Sequence, residues 1–99
     1  MNYNIPYGKH YISSNDIKKV VSALKSDFIT QGEISINFEN ALVKKVKSNY
    51  ASVFNSASSA LIAACMAINI KKGDEVWSTS ISYVATTNCI IHCGAKVKF

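Results

Sequence analysis

The chain has 99 residues and a net charge of +5, with eleven Lys and no Arg. That length is one small domain at most, and no apolar run reaches the ~18–20 residues that a membrane helix needs. The lysines are spread over Lys18/Lys19, Lys44/Lys45/Lys47 and Lys71/Lys72. They lack the Arg forks and single basic face of a nucleic-acid binder and read as solvated helix faces, so neither a nucleic-acid nor a membrane partner is expected.

Residues 1–12 read as an extended arm carrying Tyr3, Pro6, Tyr7 and Tyr11, without the basic-then-apolar pattern of a secretion signal. A cytoplasmic location is the expectation. Ser13 and Asp16 have the spacing of a capping box, with Asp in place of the usual Glu. Ile17, Val20, Val21 and Leu24 then recur at helical spacing on one stripe, opposite Lys18, Lys19 and Lys25. The run from Ser26 to Gly32 breaks that period and reads as a loop. A second helix is expected over about 35–48, with Phe38, Leu42, Val43 and Val46 inward.

From Tyr50 the pattern changes to alternating strand and helix. Tyr50 to Phe54 reads as a short apolar strand, Asn55 to Ser59 as a turn of small polar residues, and the Ala-rich run after Ser59 as a buried helix. Lys71-Lys72-Gly73-Asp74 is a turn, Glu75 to Ser80 a second strand, Tyr83 to Cys93 a third helix stopped by Gly94, and Ala95 to Phe99 a third strand. Strands joined by helices of this length pair in parallel, so the fold class is α/β. A sheet ending in a bare strand leaves apolar surface uncovered, and the expectation is an N-terminal piece of a longer protein or a chain that folds on a partner. Cys65, Cys89 and Cys93 fall in the expected helices and read as structural thiols of a reducing compartment; His92 beside them completes no metal-ligand set, and His10 has no evident role.

The turn at Asn55–Ser59 is the stretch with chemistry in it. A strand that bends into a helix through small residues leaves backbone N–H groups at a positive helix end, which suits a phosphate. Ala57 lets a ligand approach the backbone, and Ser56, Ser58 and Ser59 offer hydroxyls. An ordinary serine-capped helix with nothing bound fits the same residues. The second turn, Ser80–Tyr83, ends the neighbouring strand on the edge where open α/β sheets bind ligands, and Tyr83 presents a ring for stacking. A phosphorylated flat ring describes pyridoxal 5′-phosphate and equally a nucleotide. Neither a Gly-x-Gly-x-x-Gly run nor a Gly-Lys-Ser/Thr phosphate loop is present.

The colinear set Thr30-Gln31-Gly32, Phe38-Glu39, Asn55-Ser56-Ala57-Ser58-Ser59-Ala60-Leu61, Gly73-Asp74-Glu75-Val76, Ser80-Ile81-Ser82-Tyr83-Val84-Ala85-Thr86 and Gly94-Ala95 resembles the N-terminal part of the DegT-type sugar aminotransferases. The finer likeness, carried by the Phe54–Leu61 and Ser80–Ile90 runs, is to the branch that serves pseudaminic acid biosynthesis. The resemblance implies the N-terminal part of the large domain of the aspartate-aminotransferase fold, with residues 1–49 an arm and two helices and residues 50–99 a βαβαβ unit. It implies pyridoxal 5′-phosphate as cofactor, held by Ala57, Ser58 (in place of the usual Thr) and the stacking ring of Tyr83 (more often Phe). It also implies that Tyr7, Asp27, Phe28, Ile29, Thr30 and Ser56 touch the sugar nucleotide.

The substrates implied are a UDP-linked 4-keto-6-deoxy sugar, aminated at C4, and an amino donor, glutamate in this family; the complete enzyme would be a homodimer. The family's Schiff-base lysine and the acidic partner of the pyridine nitrogen have no counterpart among these residues, so the chain alone is not expected to transaminate. Three other readings stay open: a non-catalytic remnant or partner-dependent interaction module, a small nucleotide-binding α/β module, and a dehydratase relative in which His replaces the lysine.

Overall fold

A computed structural model describes residues 6–99; the first five residues of the expected arm, Tyr3 among them, lie outside the described residues. The chain divides into two compact units, Met1–Ala51 and Ser52–Phe99.

The first unit carries α1 (Ser14–Leu24) and α2 (Glu33–Val46). The capping box forms as its spacing requires: the Asp16 amide donates to Ser13 Oγ at 3.3 Å, and Asp16 Oδ2 accepts from the Ser13 amide and hydroxyl, each at 2.7 Å. These bonds hold the Asp16 carboxyl below its ordinary pKa, the Ser13 hydroxyl contributing most and the Ser13 amide next. α2 begins two residues earlier than the sequence pattern suggests, because Gly32 serves as its N-cap, and it closes at Lys47 in the left-handed region with φ 55°. The Ile17, Val20, Val21 and Leu24 stripe is present but not buried: these residues are 57%, 59%, 43% and 62% exposed.

The second unit runs α3 (Ala57–Ala67), β1 (Glu75–Trp77), α4 (Ala85–His92) and β2 (Lys96–Lys98). β1 and β2 pair in parallel, Val76 opposite Val97, and the Lys96 amide to the Asp74 carbonyl (2.9 Å) and the Ser78 amide to the Lys98 carbonyl (2.8 Å) flank the ladder. The expected strand over 50–54 is not part of it. Residues 51–54 are neither helix nor strand, and the sheet has two strands among the described residues. An apolar run marks a stretch for burial; a strand also needs a ladder with a neighbouring strand, and among the described residues β1 and β2 form one with each other.

Both helices of this unit end in the same way. After α3, Ile70 donates to the Cys65 carbonyl at 3.0 Å and Asn69 to the Met66 carbonyl at 2.9 Å, with Asn69 at φ 60°. After α4, Ala95 donates to the Ile90 carbonyl at 3.2 Å and Gly94 to the Ile91 carbonyl at 2.9 Å, with Gly94 at φ 80°. These are paired Schellman closures, and each turns the following apolar residue back onto its own helix. Ile70 and Ala95 thereby join the core, where Cys89, Ile90 and Ala95 are buried and Leu61, Ile62, Cys65, Val76 and Val97 pack around them.

Two outcomes follow from the first unit. A Cβ on Gly32 would stand 2.8 Å from the Phe28 carbonyl oxygen, a backbone atom with little room to yield. Gly32→Ser therefore lowers stability by about 1 kcal/mol in urea denaturation, although Ser outranks Gly as an N-cap by a few tenths of a kcal/mol. The box also gives α1 a pH dependence. Because the folded carboxyl titrates below the unfolded one, its support is complete above the ordinary carboxylate pKa and is lost as pH falls through the depressed folded value. The difference in far-ultraviolet ellipticity between wild type and Asp16→Ala should be constant above about pH 5 and vanish in strong acid.

Candidate phosphate and ring site

The start of α3 is fixed by a directed chain of hydrogen bonds. The Ser59 amide donates to Ser56 Oγ (3.2 Å), Ser59 Oγ donates to Asn55 Oδ1 (3.2 Å), and the two serine hydroxyls lie 3.0 Å apart. With the Ser59 proton committed to Asn55, Ser56 must donate to Ser59. Ala60 donates to the Ser56 carbonyl at 3.1 Å, beginning the helical ladder. The amides of Ser56, Ala57 and Ser58 and the Ser58 hydroxyl have no protein acceptor or donor among the described residues. Of the three serines expected to offer hydroxyls, Ser56 and Ser59 are engaged in the cap and Ser58 is the uncommitted one.

At the start of α4, the Thr86 amide (3.0 Å) and hydroxyl (2.7 Å) both donate to the Tyr83 carbonyl. The Thr87 hydroxyl (2.9 Å) and the Asn88 amide (3.0 Å) donate to the Val84 carbonyl. The helix is thus closed by its own threonines, and Tyr83, 76% exposed, presents its ring outside that closure. Ser58 and Tyr83 line one cleft of about 260 Å³, together with Ile62, Val84, Ala85, Asn88 and Cys89. A second cleft of about 200 Å³ meets Tyr83 and the hydroxyl-bearing residues Thr79, Ser80 and Ser82.

The remaining sequence-derived candidates are not among the residues that line that cleft. Ser56 and Ala57 are two residues and one residue ahead of Ser58 but do not line it. In the first unit, Phe28 and Ile29 line a pocket of about 190 Å³ with Val20 and Leu24, and Asp27 and Phe28 one of about 440 Å³ with Gln31 and Glu33. Thr30 lines neither, and Tyr7 is fully exposed rather than packed. Asn88 also lines the cleft and was not among the sequence-derived site candidates, although it falls in the Ser80–Ile90 run; its place one helical turn beyond Val84 was the available signal.

The family model for the DegT/DnrJ/EryC1/StrS aminotransferases matches residues 10–99. The chain belongs to this family. A UDP-4-amino-4,6-dideoxy-N-acetyl-beta-L-altrosamine transaminase of Campylobacter jejuni is 38% identical over 95 residues, covering 96% of this chain and 25% of the relative. Among solved structures, Helicobacter pylori PseC, an aminotransferase of pseudaminic acid biosynthesis, superposes with a TM-score of 0.88 at 35% identity, over 95% of this chain and 26% of that one. The structure described as a sugar aminotransferase, Spr1654 of Streptococcus pneumoniae, in its PLP form, gives 0.87 at 31% identity, over 97% and 24%. This chain therefore spans about a quarter of the length of the relatives it matches. Its fold is α/β, that of the N-terminal part of the aspartate-aminotransferase large domain.

The packing of α3 against α4 also accounts for the thiols. Cys65 on α3 packs against the core that holds Cys89 of α4, and Cys89 Sγ donates to the Thr86 carbonyl at 3.3 Å. Burial pushes the Cys65 thiol up to about 11, and hydrogen bonding to Cys89 and Cys93 with the repulsion of their thiolates acts in the same direction. Since the thiolate is the nucleophile, alkylation of Cys65 by iodoacetamide at about pH 8 should run about two orders of magnitude slower than that of an ordinary cysteine. Peptide mass spectrometry across a pH series should show its rate still climbing beyond pH ~10, where a free thiol has levelled off.

Proposed function

We propose that this chain is the N-terminal segment of a pyridoxal-phosphate aminotransferase that places an amino group on C4 of a UDP-linked 4-keto-6-deoxy sugar, in pseudaminic acid biosynthesis. The donor is glutamate, and the complete enzyme is a cytoplasmic homodimer. The observation that carries the reading is the shared cleft of Ser58 and Tyr83, with unpaired amides at the start of α3 beside it. The donor set fits the cofactor. Free N–H groups at Ala57 and Ser58 and the free Ser58 hydroxyl match the acceptors of a phosphate, and an exposed phenol ring in a cleft also lined by the apolar Ile62, Val84 and Ala85 matches a flat heterocycle. The volume, about 260 Å³, sits at the lower edge of the ~300 Å³ expected for a ligand pocket and suits one wall of a site.

Bound there, the cofactor would supply the electron sink that transamination requires. The chain's own residues bind and orient. The amides and hydroxyl of the α3 start anchor the anionic end, aided by the positive end of the helix dipole, and Tyr83 fixes the plane of the ring. In the complete enzyme this reading gives sugar-nucleotide contacts to Tyr7, Asp27, Phe28, Ile29 and Thr30 of the first unit; Ser56 of the second unit is given one by the same reading. No lysine lines the cleft, so the covalent link and the proton transfer belong to residues outside this chain.

Titration of the purified chain with pyridoxal 5′-phosphate, followed by fluorescence, tests the reading. Ser58→Ala should weaken binding about tenfold, the loss of one charge-assisted hydrogen bond, and Tyr83→Ala about three- to tenfold, the loss of a stacked pair. Uridine and adenosine nucleotides should compete poorly. Equal affinity in wild type and both variants, or preference for a nucleotide, would exclude it.

A further inference from the structure

We infer that Asn88 is a further cofactor-binding residue of this site, donating a hydrogen bond from its side-chain amide to an oxygen of the bound pyridoxal phosphate. The inference rests on the reading given under Proposed function. Asn88 lines the same cleft as Ser58 and Tyr83, and the Asn88 side-chain amide has no hydrogen-bond partner among the described residues. Its backbone amide is already tied to the Val84 carbonyl at 3.0 Å, so α4 holds its side chain at a fixed turn from the Tyr83–Val84 corner. Every other wall group is apolar or engaged: Ile62, Val84 and Ala85 carry no polar side chain, and the Cys89 thiol donates to Thr86.

Three uncommitted polar side chains therefore converge on the cleft, and they differ in what they can do. Ser58 stands beside the free amides of α3, where the phosphate is placed. The Tyr83 ring provides a face. Asn88 alone adds a planar amide with two N–H donors from the α4 side. The substituent oxygens of pyridoxal phosphate are largely anionic acceptors, so the donor end of the amide is the end that gains by contact. The position is also free to serve a ligand, since the neighbouring Cys89 and Ile90 supply the buried core face of α4 while Asn88 is exposed.

The test is a set of pyridoxal 5′-phosphate affinities, read by fluorescence and by the absorption band of the bound cofactor, for wild type, Ser58→Ala, Asn88→Ala, Asn88→Gln and Asn88→Asp. Circular dichroism checks that α4 is intact in each, which Ala and Gln favour by helix propensity. The expected result is a loss of about tenfold for Asn88→Ala, a larger loss for Asn88→Asp, which replaces donors with a negative charge, and partial recovery in Asn88→Gln. An unchanged affinity in Asn88→Ala, with Ser58→Ala weakened, would overturn this inference and leave the phosphate site standing. Equal losses in the Ala and Asp variants would overturn the donor role. No binding by the wild type would remove the cofactor reading, and this inference with it.

Discussion

The cap on α3 is the constraint on which the proposed site of the second unit depends. One hydroxyl, Ser56 Oγ, accepts the Ser59 amide and donates to the Ser59 hydroxyl, which in turn is held by Asn55. That arrangement decides where the helix begins and therefore which amides are left over. Had the cap fallen at Ser58 or Ser59, the free donors would point from another turn of the chain, and Ser58 would be spent on capping. Because it falls at Ser56, the leftover set is the amides of Ser56, Ala57 and Ser58 together with the Ser58 hydroxyl, at the positive end of an eleven-residue helix. The capping network and the proposed anion-binding set share a turn of sequence but no atoms. A serine-rich stretch of this kind can do both jobs, since each hydroxyl has one proton and must commit it.

The second constraint is the pair of Schellman closures. α3 and α4 are each followed by a left-handed residue, Asn69 and Gly94, that returns the chain to the core one residue later. Ile70 leads toward β1 and Ala95 toward β2, so the closures bring the two strands into register beside helices already packed on one another through Leu61, Ile62, Cys65, Cys89 and Ile90. The free N-terminal end of α3 and the Tyr83 corner of α4 then border the same cleft. The site is thus positioned from the far ends of its helices. A change at Gly94 acts on it only through that packing.

Legibility from the sequence followed the range of the interaction that decides each feature. The Ser13–Asp16 box, the Gly94 stop and the serine-rich turn at 55–59 depend on residues three to five apart, and a single sequence carries that information. The strand expected at 50–54 depends on a neighbour supplied from elsewhere, and its apolar residues could not say whether one is present. The split of labour among Ser56, Ser58 and Ser59 was hidden for a different reason: the residue type gives the donor inventory, but only geometry assigns the protons. Asn88 was hidden by its ordinary company, one polar residue between threonines and a cysteine, until the turn of α4 set it on the wall shared by Ser58 and Tyr83.

The first unit shows the same logic with the opposite outcome. Its local chemistry is complete, with one box, one left-handed stop and two helices, yet α1 and α2 contain no buried residue among those described. Helices of 11 and 14 residues are marginal in water on propensity alone and draw most of their stability from a covered apolar face. The stripe of Ile17, Val20, Val21 and Leu24 is such a face, presented rather than covered. Under the proposed function this is what a segment one quarter the length of its relatives should look like: its caps are local and finished, while its apolar stripe is a surface whose complement lies in other parts of the aminotransferase fold. The asymmetry between the units follows from where each finds its partner. α3 and α4 have each other, with two short strands between them, and so can shape a cleft from their own residues. α1 and α2 hold Asp27, Phe28, Ile29 and Thr30 on the connection between them. The proposed phosphate and ring contacts therefore fall on the part that builds its own core, and the proposed sugar-nucleotide contacts, Ser56 apart, on the part that does not.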